Sequence, residues 1–398
     1  MTKSMTKNET YPWLKFQLDL KNMDSSFWMI FGEINSKIDH IARVPLRPST
    51  AKKINRVYLA KGALSTTAIE GNTLSEEEVN QHIDGKLKLP PSRQYLQQEV
   101  DNIISACNAM GEMINHGETL EISPAEIMQL NRQVLQNTNY AGSTKPGRIR
   151  SISVGVGSYR PPKARDCEGL LERLCHWLNS DEFNSEDSNR KLILAVIKSI
   201  IAHLYLVWIH PFEDGNGRTA RLLEFRILLD ATIPGPVAHL LSNHYNQTRS
   251  EYYKMLDASS RKKNGEILFL KYSAIGLRDQ LKEQLEFIWE QIWDVTWRNI
   301  VHETFSGHKE TSIRKRYLLL DLSVYQRQKN LEWVNYNDLS NISGRVIKQY
   351  FGKTDRTKRR DILELLERGF LKTDKGLFSV NFGYLFRFLP LQKQSNEQ

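Results

Sequence analysis

The tightest constraint on how this chain can fold is a long apolar stretch that keeps a helical period and then stops abruptly. Residues 188–208 repeat apolar side chains at helical spacing. His210-Pro211 ends that helix, because the residue before a proline is pushed out of the helical region. A second helix is expected to begin near Gly215–Arg218. The run His210-Pro211-Phe212-Glu213-Asp214-Gly215-Asn216-Gly217-Arg218-Thr219-Ala220-Arg221 is therefore a helix–loop–helix junction with its glycines at the start of the second helix.

Most of the remaining chain shows the same period and few stretches alternate as strands do, so the predicted fold class is mainly α. Helices are expected over residues 23–41 and 50–69, the second entered through Pro48-Ser49-Thr50 and left at Glu70-Gly71-Asn72, where glycine suits a left-handed cap. Ser75-Glu76-Glu77-Glu78 has the form of a capping box, and Ser123-Pro124-Ala125-Glu126 opens a helix with proline at its first position. Alternation from Arg150 to Val156, ending at Tyr159-Arg160-Pro161-Pro162, predicts a short β-hairpin. A long helix over 264–298 carries Trp289, Trp293 and Trp297 four residues apart, read as core packing rather than a ligand box. The periodicity breaks near Ser306-Gly307-His308, which divides the chain into an N-terminal helical region at 1–110, a core at 111–305 and a C-terminal domain at 306–398.

At 398 residues, 40% hydrophobic and 25% charged, the chain can bury sizeable cores without covalent staples. Cys107, Cys167 and Cys175 are odd in number and lack metal-ligand spacing, which points to a reducing, cytoplasmic setting. The opening MTKSMTKNETYPW has no apolar run of leader length, and no stretch of about 18 uncharged apolar residues occurs, so neither secretion nor membrane spanning is expected. The formal charge is +9, and residues 301–398 hold 18 Lys and Arg against 11 Asp and Glu, so most of the excess is C-terminal.

The residue types of the junction point to phosphate chemistry. Gly215-Asn216-Gly217 allows the backbone to turn successive N–H groups into one concavity, ahead of a helix N-terminus whose dipole favours an anion. Arg218 and Arg221, three apart, share a helix face and can fork onto phosphate oxygens. Asp214 at the mouth suits Mg²⁺ shared with phosphate and water, and His210 at the His-Pro corner suits a general base. Together they describe nucleotidyl or phosphoryl transfer from a nucleoside triphosphate.

This run resembles the Fic motif, HPFx[DE]GNGRxxR, with every defined position filled. The resemblance implies a helical Fic core over 111–305 and transfer of AMP from ATP to a protein Ser, Thr or Tyr hydroxyl. It implies His210 as base, Asp214 as Mg²⁺ ligand, Gly215 to Gly217 as anion hole, Arg218 and Arg221 as phosphate clamps and Phe212 as buried anchor, with Asn216 and Thr219 inside the nucleotide-binding run. The kinase branch of the superfamily carries lysine where this chain has Gly217, so the AMP-transferring branch is the nearer likeness. Thr66-Thr67-Ala68-Ile69-Glu70-Gly71 resembles the family's inhibitory motif, [ST]xxxE[GN], which implies that Glu70 pairs with Arg221 and displaces the γ-phosphate, with the Thr66 hydroxyl bracing the inhibitory helix. Residues 147–162 are similar to the Fic flap, placing Val156, Gly157, Ser158 and Tyr159 beside the nucleotide. Arg249-Ser250-Glu251-Tyr252-Tyr253 is similar to the helix whose aromatic walls the adenine, Tyr252 and Tyr253 both being candidates, and Ser260 stands where some members have asparagine.

Beyond residue 310, helices at 312–324, 336–341, 343–351 and 357–368 followed by a hairpin at 369–380 resemble a winged helix. Its basic run Arg356, Lys358, Arg359 and Arg360 lies at the start of the recognition-helix position, with protein contact favoured over DNA. The functional expectation is an autoinhibited protein adenylyltransferase with Mg²⁺ as cofactor. Its expected partners are ATP and a protein substrate, the chain itself included, with a homodimer left open. The alternatives are a de-AMPylase or bifunctional enzyme using Glu70, and an ATP-sensing winged-helix transcriptional regulator.

Overall fold

Helix-capping chemistry sets many of the element boundaries. The computed structural model describes residues 11–21, 23–117, 121–138 and 145–386, so the leader expectation for the first ten residues lies outside the described residues. Asp24 accepts from the Phe27 N–H and opens α1 (Ser25–Arg43), and Pro48 sits in the first turn of α2 (Pro48–Ala68). Ser75 and Glu78 close the expected capping box of α3 (Glu76–Ile83). After α4 (Gln94–Asn115), Ser123 caps α5 (Pro124–Val134) through the Glu126 N–H, with Pro124 in the first position. There follow α6 (Cys167–Leu178), α7 (Ser188–Ile209), α8 (Asn216–Asp230), α9 (Gly235–Ala238), α10 (Leu240–Gln247), α11 (Arg249–Arg261) and α12 (Gly265–Thr304). The mainly α class read from periodicity is the class observed.

By length and composition α7 could cross a membrane, with a mean hydropathy of 2.2, yet 72% of its apolar window is buried inside the fold. A helix apolar on all sides belongs in a core. Val196, Ile197, Ile200, Ile201 and Leu204 are fully buried, and α7 packs on α1, α6 and, most extensively, α8. The interrupted stretch that dominates the sequence is therefore the core of the first compact unit, residues 1–285.

The second compact unit, residues 286–398, begins inside α12 rather than at the expected break near 305–310. The reason is visible in its core, where Trp297, Val301 and Phe305 pack with Leu318, Leu322, Val346, Ile362, Leu365 and Phe370. Its order is α13 (Glu310–Lys329), β1 (Val334–Asn335), α14 (Gly344–Tyr350), α15 (Asp355–Glu367), β2 (Leu371–Asp374) and β3 (Leu377–Val380). The strands form one antiparallel sheet in the order β1-β3-β2, with Val334 opposite Phe378 and Leu371 opposite Val380.

Two sequence expectations change. The tryptophan stripe is core only at Trp297, whereas Trp289 is 36% exposed and stacks on Trp293 at 6.4 Å. A spacing of four keeps three residues within about 80° of one helix face, so the spacing alone does not decide how deep each one is buried. The hairpin over 150–162 reduces to a single bridge between Val156 and Tyr159. Pro161 and Pro162 offer no N–H to a ladder, and the carbonyls of Ile152 and Pro162 are taken by the Arg150 side chain.

Buried histidines make the first unit acid-sensitive. Burial pulls His239, stacked on Phe225 at 4.4 Å, down to about 3 and His244 down to about 4, from an ordinary 6.5. Both are neutral when folded and protonate once unfolded. Their contribution is therefore complete above pH 6.5 and lost as pH falls through the folded values. Urea titration should show the first unit's unfolding free energy falling below pH 6.5 by up to about 1.4 kcal/mol per pH unit per histidine. His239→Gln should remove one share of that slope, and an unchanged slope would contradict the assignment.

Candidate active site

The junction between α7 and α8 builds the site. His210 caps α7 in the left-handed region, φ 50° and ψ 57°, and donates its N–H to the Leu206 carbonyl at 2.9 Å. Its Nδ1 lies 3.3 Å from the Val207 carbonyl, so the tautomer with Nδ1–H donating leaves Nε2 unprotonated on a ring that lines the central cavity. Burial, reinforced by the charge of Arg150, lowers the imidazole to about 4 against the opposing pull of the Val207 carbonyl, Glu70 and Asp214. The ring is thus a neutral imidazole at physiological pH.

Arg150 holds this corner. Only 3% exposed, it donates from Nε to the His210 carbonyl at 2.8 Å, from Nη1 to Ile152 at 2.8 Å and from Nη2 to Pro162 at 2.5 Å. Its backbone N–H donates to the Pro211 carbonyl at 2.9 Å. One guanidinium therefore fastens the segment over the site to the loop that carries the base.

Beyond His210 the loop is closed by its own side chains. The Asn216 amide accepts from the Phe212 N–H at 3.0 Å and donates to the Phe212 carbonyl at 2.9 Å, and the Phe212 ring is buried. Gly215 takes φ 77° ahead of α8, where an L side chain would be strained. Thr219, expected among the nucleotide ligands, instead turns inward: it is fully buried, donates to the Gly215 carbonyl at 2.7 Å and accepts from Asn131 at 3.2 Å. Asn131 also donates to the Asp214 carbonyl and accepts from the Gly147 N–H, each at 2.9 Å. Asp214 keeps its carboxylate 44% exposed.

Both arginines already face carboxylates. Arg221, 1% exposed, meets Glu70 at 2.6 Å and donates to the Thr66 carbonyl at 2.9 Å. Thr66 therefore contacts the clamp through its backbone rather than through the expected hydroxyl. Burial opposes the Glu70 charge, but Arg221, then Arg218 and His210, outweigh it and hold the carboxyl below its ordinary value. A Cβ at Gly217 would lie 2.2 Å from Glu70 Oε1, so a side chain there would push the Glu70 carboxylate from its present place. Arg218 meets Glu99 at 3.2 Å and Asp214 at 3.3 Å, and Asn72 donates to Glu99 at 2.9 Å. Nε of Arg218 and Nε and Nη1 of Arg221 are buried without a partner among the described residues, which leaves cationic donors for an anionic ligand.

A cavity of about 440 Å³ brings Glu70, His210 and Gly217 together with the flap residues. Val156, Gly157, Ser158 and Tyr159 line it, as expected, with His210, Gly217 and Glu70 across from them. Ser158 is clipped to α11, donating to Asp257 at 3.2 Å and accepting from Arg261 at 2.9 Å. Tyr159 donates to the Trp208 carbonyl at 2.7 Å and accepts from the Trp13 indole at 3.1 Å. The two adjacent tyrosines divide as helix geometry requires: Tyr252 is buried against His203 at 2.9 Å, and Tyr253 is 43% exposed at the rim. The Tyr253 hydroxyl donates to the Ile69 carbonyl at 3.1 Å, next to Glu70. Ser260 turns its hydroxyl back to the Asp257 carbonyl at 2.8 Å.

Arg150, Asn131, Glu99 and Trp13 escaped the sequence reading, since each acts on a site residue 60 or more positions away. Only Arg150 lay in a segment already singled out. Arg150→Ala should leave one buried and two part-buried carbonyls without their donor and destabilise the first unit by about 2 to 3 kcal/mol. Chemical denaturation checks this, and a loss below about 1 kcal/mol would remove Arg150 from the role assigned to it.

The Fic/DOC family model matches residues 121–228. Protein adenylyltransferase fic-1 of Caenorhabditis elegans is 32% identical over 195 residues, covering 49% of this chain and 35% of its own. Protein adenylyltransferase Fic of Nematostella vectensis is 27% identical over 245 residues, covering 61% and 51%. The chain thus spans about half or less of the length of these relatives. A Fic family protein from Desulfovibrio desulfuricans superposes with a TM-score of 0.54 at 19% identity, covering 92% of this chain and 98% of that one. C. elegans Fic-1 superposes with a TM-score of 0.53 at 24% identity, covering 67% and 74%. Motif, matched segment and shared fold agree: over residues 121–228 this chain carries a Fic/DOC-family domain.

Proposed function

We propose that this chain transfers AMP from ATP to a Ser, Thr or Tyr hydroxyl of a protein and is held inactive by Glu70. One observation carries the reading. The neutral His210 and the α8 N-terminus share a cavity also lined by Glu70, whose carboxylate occupies Arg221. A triphosphate bound along the start of α8 would find Arg218 and Arg221 as clamps and the Gly215 to Gly217 backbone as its cradle. His210 Nε2 takes the proton of the incoming hydroxyl as that oxygen bonds to the α-phosphorus, and the bond to the pyrophosphate oxygen breaks. The exposed carboxylate of Asp214 fits Mg²⁺, which binds through one carboxylate together with phosphate and water. When bound, the ion would neutralise charge on the transferring and leaving phosphates. Among the described residues no group of three His, Cys, Asp or Glu forms an all-protein metal cage.

Glu70 blocks this arrangement by supplying Arg221 with the negative charge that the γ-phosphate would bring. A nucleotide excluded from Arg221 loses the alignment that in-line attack needs. Glu70→Gly should therefore raise incorporation of labelled AMP into the chain by at least about tenfold, and Glu70→Gly with His210→Ala should return it to background. Equal labelling of wild type and Glu70→Gly would reject the inhibitory role, and labelling that survives His210→Ala would reject the base.

The pH profile offers a separate check. In the Glu70→Gly background the base is the neutral imidazole, so activity is retained above its pKa and lost below it. Burial places that limb well under the ordinary 6.5, toward about 4. kcat/KM for ATP should stay level from pH 7.5 to about 5.5. An acid limb centred at 6.5 would show that His210 is not desolvated in the free enzyme.

A further inference from the structure

We propose that the exposed face of α15 is a docking surface for duplex DNA, entering the major groove through its N-terminal half. The inference concerns the second unit alone and does not depend on the transfer reaction.

Topology supplies the frame. Helix α14 ends at Tyr350, the turn Phe351-Gly352-Lys353-Thr354 follows with Gly352 at φ 70°, and α15 starts at Asp355. Two helices joined by a short glycine-containing turn form a helix-turn-helix, whose second helix is the one that enters a groove. The antiparallel pair β2 and β3 follows directly, with Lys375 exposed at its tip.

The rotation of α15 about its axis is fixed from within. Asp361 is 1% exposed and accepts from Arg314 Nε at 2.8 Å, while Ile362 and Leu365 enter the core beside it. That anchoring turns Arg356, Arg359, Arg360 and Leu363 outward. They fall at i, i+3, i+4 and i+7, one stripe two turns long, or about 10 Å, on a helix whose diameter of about 10 to 12 Å fits a major groove about 12 Å wide.

Charge is concentrated at the N-terminal end of the stripe. Arg356 and Arg360 make no ion pair among the described residues, and Arg359 pairs with the exposed Asp355 at 2.9 Å and hydrogen-bonds the Tyr336 side chain. Lys358 departs from the basic run read in the sequence, because its ammonium lies over the Tyr336 ring at 4.1 Å. Farther along, Glu364 is already paired with Lys315 at 2.6 Å. Arginines free to fork onto phosphates or guanine edges, with the 57% exposed Leu363 among them for a thymine methyl, suit a DNA duplex. An RNA duplex fits less well, since its deep, narrow major groove does not admit a helix.

The test uses the full chain and fluorescence anisotropy with a labelled mixed-sequence DNA duplex of about 25 base pairs, from about 50 to 200 mM salt. Binding should weaken steeply with salt, and the combined variant Arg356→Ala, Arg359→Ala, Arg360→Ala should lower affinity at least about tenfold and reduce the log–log salt slope by about 2 to 3. The substituted side chains are exposed, so thermal unfolding should stay unchanged. A charge-matched control, Arg43→Ala, Lys52→Ala, Lys53→Ala on α1 and α2, should bind like wild type. No duplex binding at low salt would overturn the proposal and leave the face to a protein partner. Equal loss in both triple variants, no loss in the α15 variant, or equal affinity for duplex RNA would each overturn it as well.

Discussion

The ion pair between Glu70 and Arg221 organises the first unit's functional end. It closes because three separate conditions are met: the start of α8 offers a positive dipole end, Gly217 lacks the carbon that would collide with Glu70, and Tyr253 ties the Ile69 carbonyl beside it. Arg221 is almost wholly buried, so its charge needs a counter-ion in every state of the protein. On the proposed function that requirement makes the pair a switch: the Glu70 carboxylate, just beyond the end of α2, and a nucleotide phosphate would compete for the same guanidinium. Glu99 gives Arg218 a similar partner, and Asn72 connects that carboxylate to the segment just after Glu70.

A second layer keeps the chemistry in register. His210 stands in a left-handed conformation that few non-glycine residues adopt, and such strain persists only when the surroundings over-determine it. Arg150 and Asn131 supply that over-determination, one from the flap segment and one from α5. The flap is in turn fastened by Trp13 through Tyr159 and by Arg261 through Ser158. Few of these links are strand hydrogen bonds. The segment keeps its course by side-chain contacts where a paired hairpin was expected.

The capping box at Ser75, the proline-led start of α5, the stop at His210 and the restart at Asn216 were legible in the sequence because each depends on residues within one or two turns. The twelve-residue junction was legible for the same reason, and so was the Thr66 to Glu70 segment once the junction was recognised. Side-chain direction was not. Thr219 sits in the nucleotide-binding run yet points into the core, and of the tryptophan stripe only Trp297 lies where the second unit's core closes over the helix. Glu99 and Arg150 carry no local signature, being an ordinary glutamate on α4 and one of several arginines near the flap.

By itself, then, the sequence determined the helical class, most helix starts and stops, and the chemical identity of the junction, all consequences of backbone sterics, capping and short-range periodicity. Only the tertiary structure decided that Glu99 answers Arg218, which of the two tyrosines is buried and which face of α15 meets solvent. Those outcomes rest on contacts between segments far apart in the chain, such as Glu99 with Arg218 and Arg314 with Asp361. Burial then gives them their strength, because a charge removed from water must find its partner wherever the fold has placed it.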